Sequence, residues 1–396
     1  MNTRRTRSTH LIAAAALAIC SVFPVHAQTQ GVSANEIVLG TVLDLSGPIA
    51  GWGKGSRNGL QMRIDEANEA GGVRGRRIRL IAEDHGYDPK RAVLAAEKLV
   101  SEDKVFAVVN MMASAPAIAS MPALLEKNVI SFLPVSGHRA MFEPTHRLKF
   151  SNFPPIYDQV RAVLPGFVRD RGTKKPCIVY QDDEYGLEIL RGTEAGLKGS
   201  GLGLLEKTSF KRGATDFSSQ MARMAAAQCD LVVLGTIIRE TIGTMVEARK
   251  IGFAPVFLGT TPVVHPAIAA LGGAATEGLY AISFASHPYI DDDNKAIAAW
   301  ARRYKARFGE DPTGSSLLAY RSMEIFVRAA DRAGAGLSTD SFIATMDSLR
   351  VPADDLGNPE FHVTATNRLG VNEVRQYQLT GGRWRAISGW QEVRPE

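Results

Sequence analysis

Histidine is the natural place to look for chemistry, because it binds metals and moves protons near neutral pH. His85, His138, His146, His265, His287 and His362 are scattered, and no H-x-x-H or H-E-x-x-H spacing sets two imidazoles on one helix face. No metal site is expected. A G-x-S-x-G elbow, which would present a serine nucleophile at a sheet edge, does not occur either. Gly51-Trp52-Gly53-Lys54-Gly55 suggests a phosphate loop, but the strand before it ends near Leu45 and Lys54 is followed by Gly rather than Ser or Thr. Asp291-Asp292-Asp293-Asn294 reads either as a cation loop or as negative charge at the N-terminus of the helix behind it, and the second fits better. No nucleophile–base pair can be named. Neither an enzyme nor a cofactor is expected.

What remains is a set of polar and aromatic residues just beyond short apolar runs, in loops 46–52, 110–114, 134–138, 181–185, 235–239 and 259–262. In open parallel sheets, ligands bind outside the carboxyl ends of the strands, where helix N-termini point free N–H groups at anions. Six such loops predict one cleft.

The elements that must position them alternate along the chain. Runs 36–45, 78–84, 105–109 and 129–133 read as strands, separated by helices with apolar residues at helical spacing, such as Leu60, Ile64 and Ala67. Asp88-Pro89 is a helix cap followed by proline at the first helical position. The pattern restarts with a helix over 155–169, then strands at 177–180, 204–210, 231–234, 256–259 and 279–282 with helices between. Two helical stretches follow, 294–307 and 312–333, and then a hairpin over 373–387 turning at Thr380-Gly381-Gly382. The fold class is therefore α/β, with two doubly wound parallel sheets, each covered on both faces.

Composition agrees. The chain has 396 residues, 45% hydrophobic and 22% charged, so it is neither disordered nor a small disulfide scaffold, and its length suits two or three domains. Arg4, Arg5 and Arg7, the apolar stretch 11–23 and Val25-His26-Ala27 form a secretory signal. Residues 1–27 are expected to be cleaved after Ala27, giving a periplasmic chain that does not itself span a membrane. Losing three arginines leaves 43 basic against 41 acidic residues, with no basic block interleaved with aromatics, so nucleic acid is not a partner. Cys177 and Cys229 remain in an oxidising compartment; they either pair or stay as buried thiols, and spacing does not choose.

Asp44-Leu45-Ser46-Gly47-Pro48-Ile49-Ala50 with Trp52-Gly53, then Asn58-Gly59 and Ala70-Gly71-Gly72-Val73, resembles the opening of type I periplasmic solute-binding proteins of the leucine/isoleucine/valine-binding family. Tyr180-Gln181-Asp182-Asp183-Glu184-Tyr185-Gly186 resembles the loop that opens that family's second lobe, and Asp216-Phe217-Ser218, Val256-Phe257-Leu258-Gly259 and Gly278-Leu279 also match. The likeness runs from about Glu36 to the C-terminus. It implies two lobes that close like a clamshell on a small solute, which is then handed to the membrane subunits of an ABC permease; a monomer is expected. It also implies crossovers near 149–153, 281–286 and 355–363, with lobe one at 28–150 plus 284–358 and lobe two at 151–283 plus 359–396.

Carried over by position, Trp52 covers the solute from lobe one, beside Met112. Ser114 and Val135-Ser136-Gly137 offer hydroxyl and N–H groups to a carboxylate. Tyr185 closes from lobe two, with Ile237 and Thr261 lining its other loops. Amino-acid-binding members hold the ligand ammonium with an acidic residue after the strand matching 256–259, and here Thr260-Thr261-Pro262 stands there. A buried ammonium without a counter-charge costs several kcal/mol. Unless Asp182, Asp183 or Glu184 reaches inward, the expected solute is an aromatic or aliphatic carboxylate lacking an α-amino group. The alternatives are a branched-chain amino acid or amide receptor, a soluble sensory co-receptor, and an enzyme on the same scaffold.

Overall fold

A computed structural model describes Met1 and residues 29–396. The expected signal, apart from Met1, lies outside the described residues.

The chain first lays down β1 (Glu36–Leu43), α1 (Ala50–Glu69), β2 (Arg77–Asp84), α2 (Pro89–Ser101), β3 (Ala107–Val109), α3 (Ser114–Glu126), β4 (Ile130–Phe132) and β5 (Lys149–Phe150). These strands make one parallel sheet in the order β2-β1-β3-β4-β5, with Leu39 level with Leu80 on one side and Ala107 on the other. Reversal of strand order about β1 is the doubly wound pattern, and it leaves a crevice at the carboxyl ends.

The series restarts with α4 (Ile156–Arg171), β6 (Pro176–Gln181), α5 (Glu184–Gly199), β7 (Glu206–Phe210), α6 (Ser218–Ala226), β8 (Leu231–Gly235), α7 (Ile238–Lys250), β9 (Val256–Gly259), α8 (Pro266–Gly272) and β10 (Tyr280–Ser283). α9 (Lys295–Phe308), α10 (Gly314–Ala333), α11 (Thr339–Met346), β11 (Arg350–Val351) and β12 (Phe361–His362) follow, and the chain ends with β13 (Glu373–Thr380), β14 (Arg383–Ala386) and β15 (Gln391–Glu392). The second sheet runs β14-β13-β10-β9-β8-β6-β7, parallel from β10 to β7, with β15 pairing β13. Its late hairpin, β13 and β14, adds antiparallel strands at one edge.

Each sheet has its own apolar core. Phe106, Phe132, Phe326 and Phe342 meet largely edge-on beneath the first sheet, so α10 and α11 return to the lobe where the chain began. Phe361 and Val363 are buried in that same core. The third passage between lobes therefore falls later than the 355–363 expected from sequence: a buried phenyl ring holds the chain in the first lobe until it joins the second sheet at β13. The short elements α8, α11, β11 and β12 carry too few residues to show a period in the sequence. The second core continues across the seam to Leu43, Ile49, Trp52, Tyr87 and Met112 of the first lobe. Cys177 and Cys229 are disulfide-bonded, tying the start of β6 to the turn before β8. Among the described residues, no helix is long and apolar enough to cross a membrane.

Candidate functional site

The loops at the carboxyl ends of both sheets enclose one cavity. Asp44 builds its first wall. This buried carboxylate accepts from the amides of Gly47 (2.5 Å) and Ile49 (2.9 Å), folding the loop that leads into α1. Gly51 to Gly55 lie inside α1 and form no phosphate loop. Gly53 is needed for contact, since a Cβ there would stand 1.8 Å from the Asp44 carbonyl oxygen. The result is a buried Trp52 whose indole Nε1 donates across the seam to the carbonyl of Pro262 at 3.2 Å.

Beyond β3, Met112 bridges to Val135, and the Ala113 amide donates to the Val135 carbonyl at 3.1 Å. Ala113 has φ 73° and ψ 147°, a conformation costly for any residue with a Cβ. It turns the chain abruptly into α3, which starts at Ser114 without a side-chain cap. The Ser114 amide, at the first helical position, has no partner inside the helix and sits at the cavity wall with its hydroxyl, while Pro116 carries no N–H and the Ala117 amide donates to the Ala113 carbonyl. Ser136 Oγ lies 3.1 Å from Ser114 Oγ and accepts from the His138 amide at 3.3 Å. Gly137 lets the lobes approach: its carbonyl accepts from the Ile156 amide at 2.7 Å, and a Cβ would stand 2.6 Å from the Ile156 side chain.

The second lobe contributes Tyr185 from the start of α5, Ile237 after β8, Thr261 and Pro262 after β9, and Phe284 after β10. The Tyr185 hydroxyl is bonded to the Thr236 carbonyl (3.1 Å) and to the Thr260 hydroxyl (2.8 Å), so its polar end is satisfied within the protein. Burial pushes its pKa up and keeps it neutral.

All nine residues singled out from the sequence, Trp52, Met112, Ser114, Val135, Ser136, Gly137, Tyr185, Ile237 and Thr261, line this cavity, part of which is continuous with solvent. Sequence reasoning missed Tyr87, Ile156 and Phe284. Tyr87 follows β2, and its position at a strand end was the available signal; Ile156 and Phe284 sit in passages between the sheets, where no strand-end rule points. Among the described residues, no acidic or basic side chain belongs to the wall. Asp182 and Glu184 are exposed. Asp183 is buried but turned away: it accepts from the Tyr185 amide at 3.2 Å and Gln181 Nε2 at 2.5 Å, and pairs with Arg212 Nε at 3.2 Å. Glu240 is buried beside Arg239, outside the wall, and burial raises its pKa. The cavity can enclose a small apolar body and offer hydroxyl and amide protons to one anionic end.

Asp291 pairs with Arg383, while Asp292 accepts from the amide of Asn294, the residue that caps α9. Within the acidic run, Asp292 therefore serves the helix start and Asp291 an ion pair with the late hairpin. Among the described residues no cluster of metal-binding side chains occurs.

A family model described as periplasmic binding protein matches residues 36–383. Leu/Ile/Val-binding protein homolog 8 from Brucella abortus is 23% identical over 329 residues, covering 80% of this chain and 81% of its own. A fatty acid ABC transporter substrate-binding protein from Thermomonospora curvata matches with a TM-score of 0.83 at 23% identity, over 92% of this chain and 95% of its own. A solute-binding protein of an ABC transporter from R. palustris, solved in complex with benzoate, matches with a TM-score of 0.78 at 17% identity, over 91% of this chain and 97% of its own.

Proposed function

The chain belongs to the type I periplasmic binding proteins of the Leu/Ile/Val-binding family, and from that premise we propose that it captures a small aromatic or aliphatic carboxylate without an α-amino group and delivers it to an ABC permease. Trp52, Met112, Ser114, Val135, Ser136, Gly137, Tyr185, Ile237 and Thr261 hold the solute, acting as a receptor and not as a catalyst. The cleaved chain works in the periplasm.

The single observation that carries this reading is the uncharged wall. The carboxylate end is met by the Ser114 and Ser136 hydroxyls and the Ser114 amide at the start of α3, where the helix dipole favours negative charge. At the other wall, the place where an acid would meet an ammonium is closed by the Tyr185 hydroxyl, bonded to the Thr236 carbonyl and the Thr260 hydroxyl. An ammonium there would be desolvated with no anion to repay it, a cost of several kcal/mol. Trp52, Tyr87, Tyr185 and Phe284 instead offer aromatic faces to an apolar body. The R. palustris protein solved with benzoate shows that this fold accommodates such a solute. The second reading, a branched-chain amino acid, is favoured by the name of the Brucella relative.

Capture works through differential binding: only the closed arrangement brings both walls onto the solute, so the solute biases the open–closed equilibrium toward it. A thermal-shift screen separates the two readings. Benzoate, related aromatic acids and short aliphatic acids are expected to raise the melting temperature by mass action. Stabilisation by leucine or isoleucine, but by no simple acid, overturns the carboxylate assignment.

A further inference from the structure

Tyr87 belongs to the first lobe, yet much of what holds it comes from the second. It occupies left-handed backbone at φ 66°, costly for a bulky residue, and its amide is fixed by donation to His85 Nδ1 at 2.8 Å. Across the seam, Gln181 Nε2 donates to the Tyr87 hydroxyl at 3.3 Å, and Arg212 Nη1 donates to the Tyr87 carbonyl at 3.3 Å. The Arg212 guanidinium also lies 5.8 Å from the centre of the Tyr87 ring, a cation–π distance.

Arg212 is itself aimed. Its Nε pairs with Asp183 at 3.2 Å, and Asp183 binds the amides of Tyr185 and Gly186 at the start of α5. One arginine–aspartate pair therefore joins an aromatic wall of the first lobe, Tyr87, to an aromatic wall of the second, Tyr185. Arg212 lies outside the cavity wall, in the turn after β7, with a third of its side chain exposed.

We infer that Arg212 is a positioning residue: by clasping Tyr87 only when the lobes meet, it holds the closed form and sets how long a solute stays, without touching the solute. The inference rests on the cavity being the solute site. The clasp makes no contact that discriminates one small solute from another, so it scales retention and leaves preference to the wall.

The test is a distance measurement on the protein alone, together with rates for one probe. The cysteines of residues 29–396 are bonded to each other, so Lys127→Cys and Lys198→Cys supply two exposed label positions. They stand at the C-terminal ends of α3 and α5, which neighbour each other across the seam. Arg212→Met, which keeps the stem and removes the donors, is expected to shift the ligand-free distance distribution toward the open form. Benzoate is expected to leave this variant about ten-fold faster, as loss of one charged hydrogen bond implies, with its association rate nearly unchanged. Arg212→Lys keeps the charge beside Asp183 and is expected to fall between. Identical distance distributions for the wild type and Arg212→Met, with both chains folded by circular dichroism, overturn the proposal. Failure of the wild type to bind benzoate counts against the carboxylate assignment alone, because the distances need no solute.

Discussion

Acidification below pH 6.5 should destabilise this protein, and buried histidines are the reason. Burial holds the pKa of His85 down to about 4, of His265 to about 4 and of His287 to about 3, against 6.5 for a free imidazole. Geometry agrees, because His85 Nδ1 accepts from the Tyr87 amide (2.8 Å) and His265 Nδ1 from the Ala267 amide (3.1 Å). A proton on either Nδ1 would set donor against donor. Since the folded values are depressed, these groups leave stability intact above pH 6.5, and it is lost as pH falls from there toward the folded values. Between pH 7 and 5.5 the unfolded chain takes up protons that the folded chain refuses. Each histidine then costs slightly over ~1 kcal/mol, and the three together about 3–4 kcal/mol. Burial raises Asp44, Asp183 and Glu240, which have the opposite sign and regain stability as pH falls through their folded values. His265→Asn separates the two contributions, since asparagine can still cap α8 and the carboxylates are common to both chains. Urea unfolding at pH 7 and 5.5 should show a loss smaller by about 1 kcal/mol in the variant. Equal losses in the two chains, or an imidazole resonance of His265 titrating near 6.5, refute the reasoning.

Two further outcomes follow from the same structure. Trp52→Ala removes a buried aromatic wall and the bond to Pro262 across the seam, and calorimetry should show affinity for the stabilising solute falling by about 2 kcal/mol or more; an unchanged affinity would take Trp52 out of the site. Replacing both Cys177 and Cys229 by alanine reopens a loop of 52-residue separation, and stability should drop by about 2–4 kcal/mol while solute preference, set on the opposite end of the sheet, stays the same.

Much of the architecture is local and so was legible. The alternation of short apolar runs with amphipathic helices forces parallel sheets, and the strand-end rule then points to loops holding Trp52, Ser114, Ser136, Tyr185 and Thr261, all found on one cavity. The missed residues are those placed by contact between lobes. Tyr87 stands just after β2, a strand-end signal that was available, but Gln181 and Arg212, which hold it at the wall, come from far along the chain and no pattern around residue 87 encodes that meeting. Asp182, Asp183 and Glu184 were indistinguishable as inward candidates in sequence. Folding turned Asp183 toward the helix amides and Arg212 and left its neighbours in solvent, because a buried carboxylate must find donors wherever the packed chain supplies them. Spacing left the two cysteines open as well, and only the adjacency of β6 and β8 brought them into bonding range. The amino-acid order by itself thus determined the elements and the ends of the strands that face the cleft, since both follow from short-range periodicity. The charge of the cleft was decided by tertiary structure, since which polar groups are consumed by partners depends on neighbours tens to hundreds of residues away.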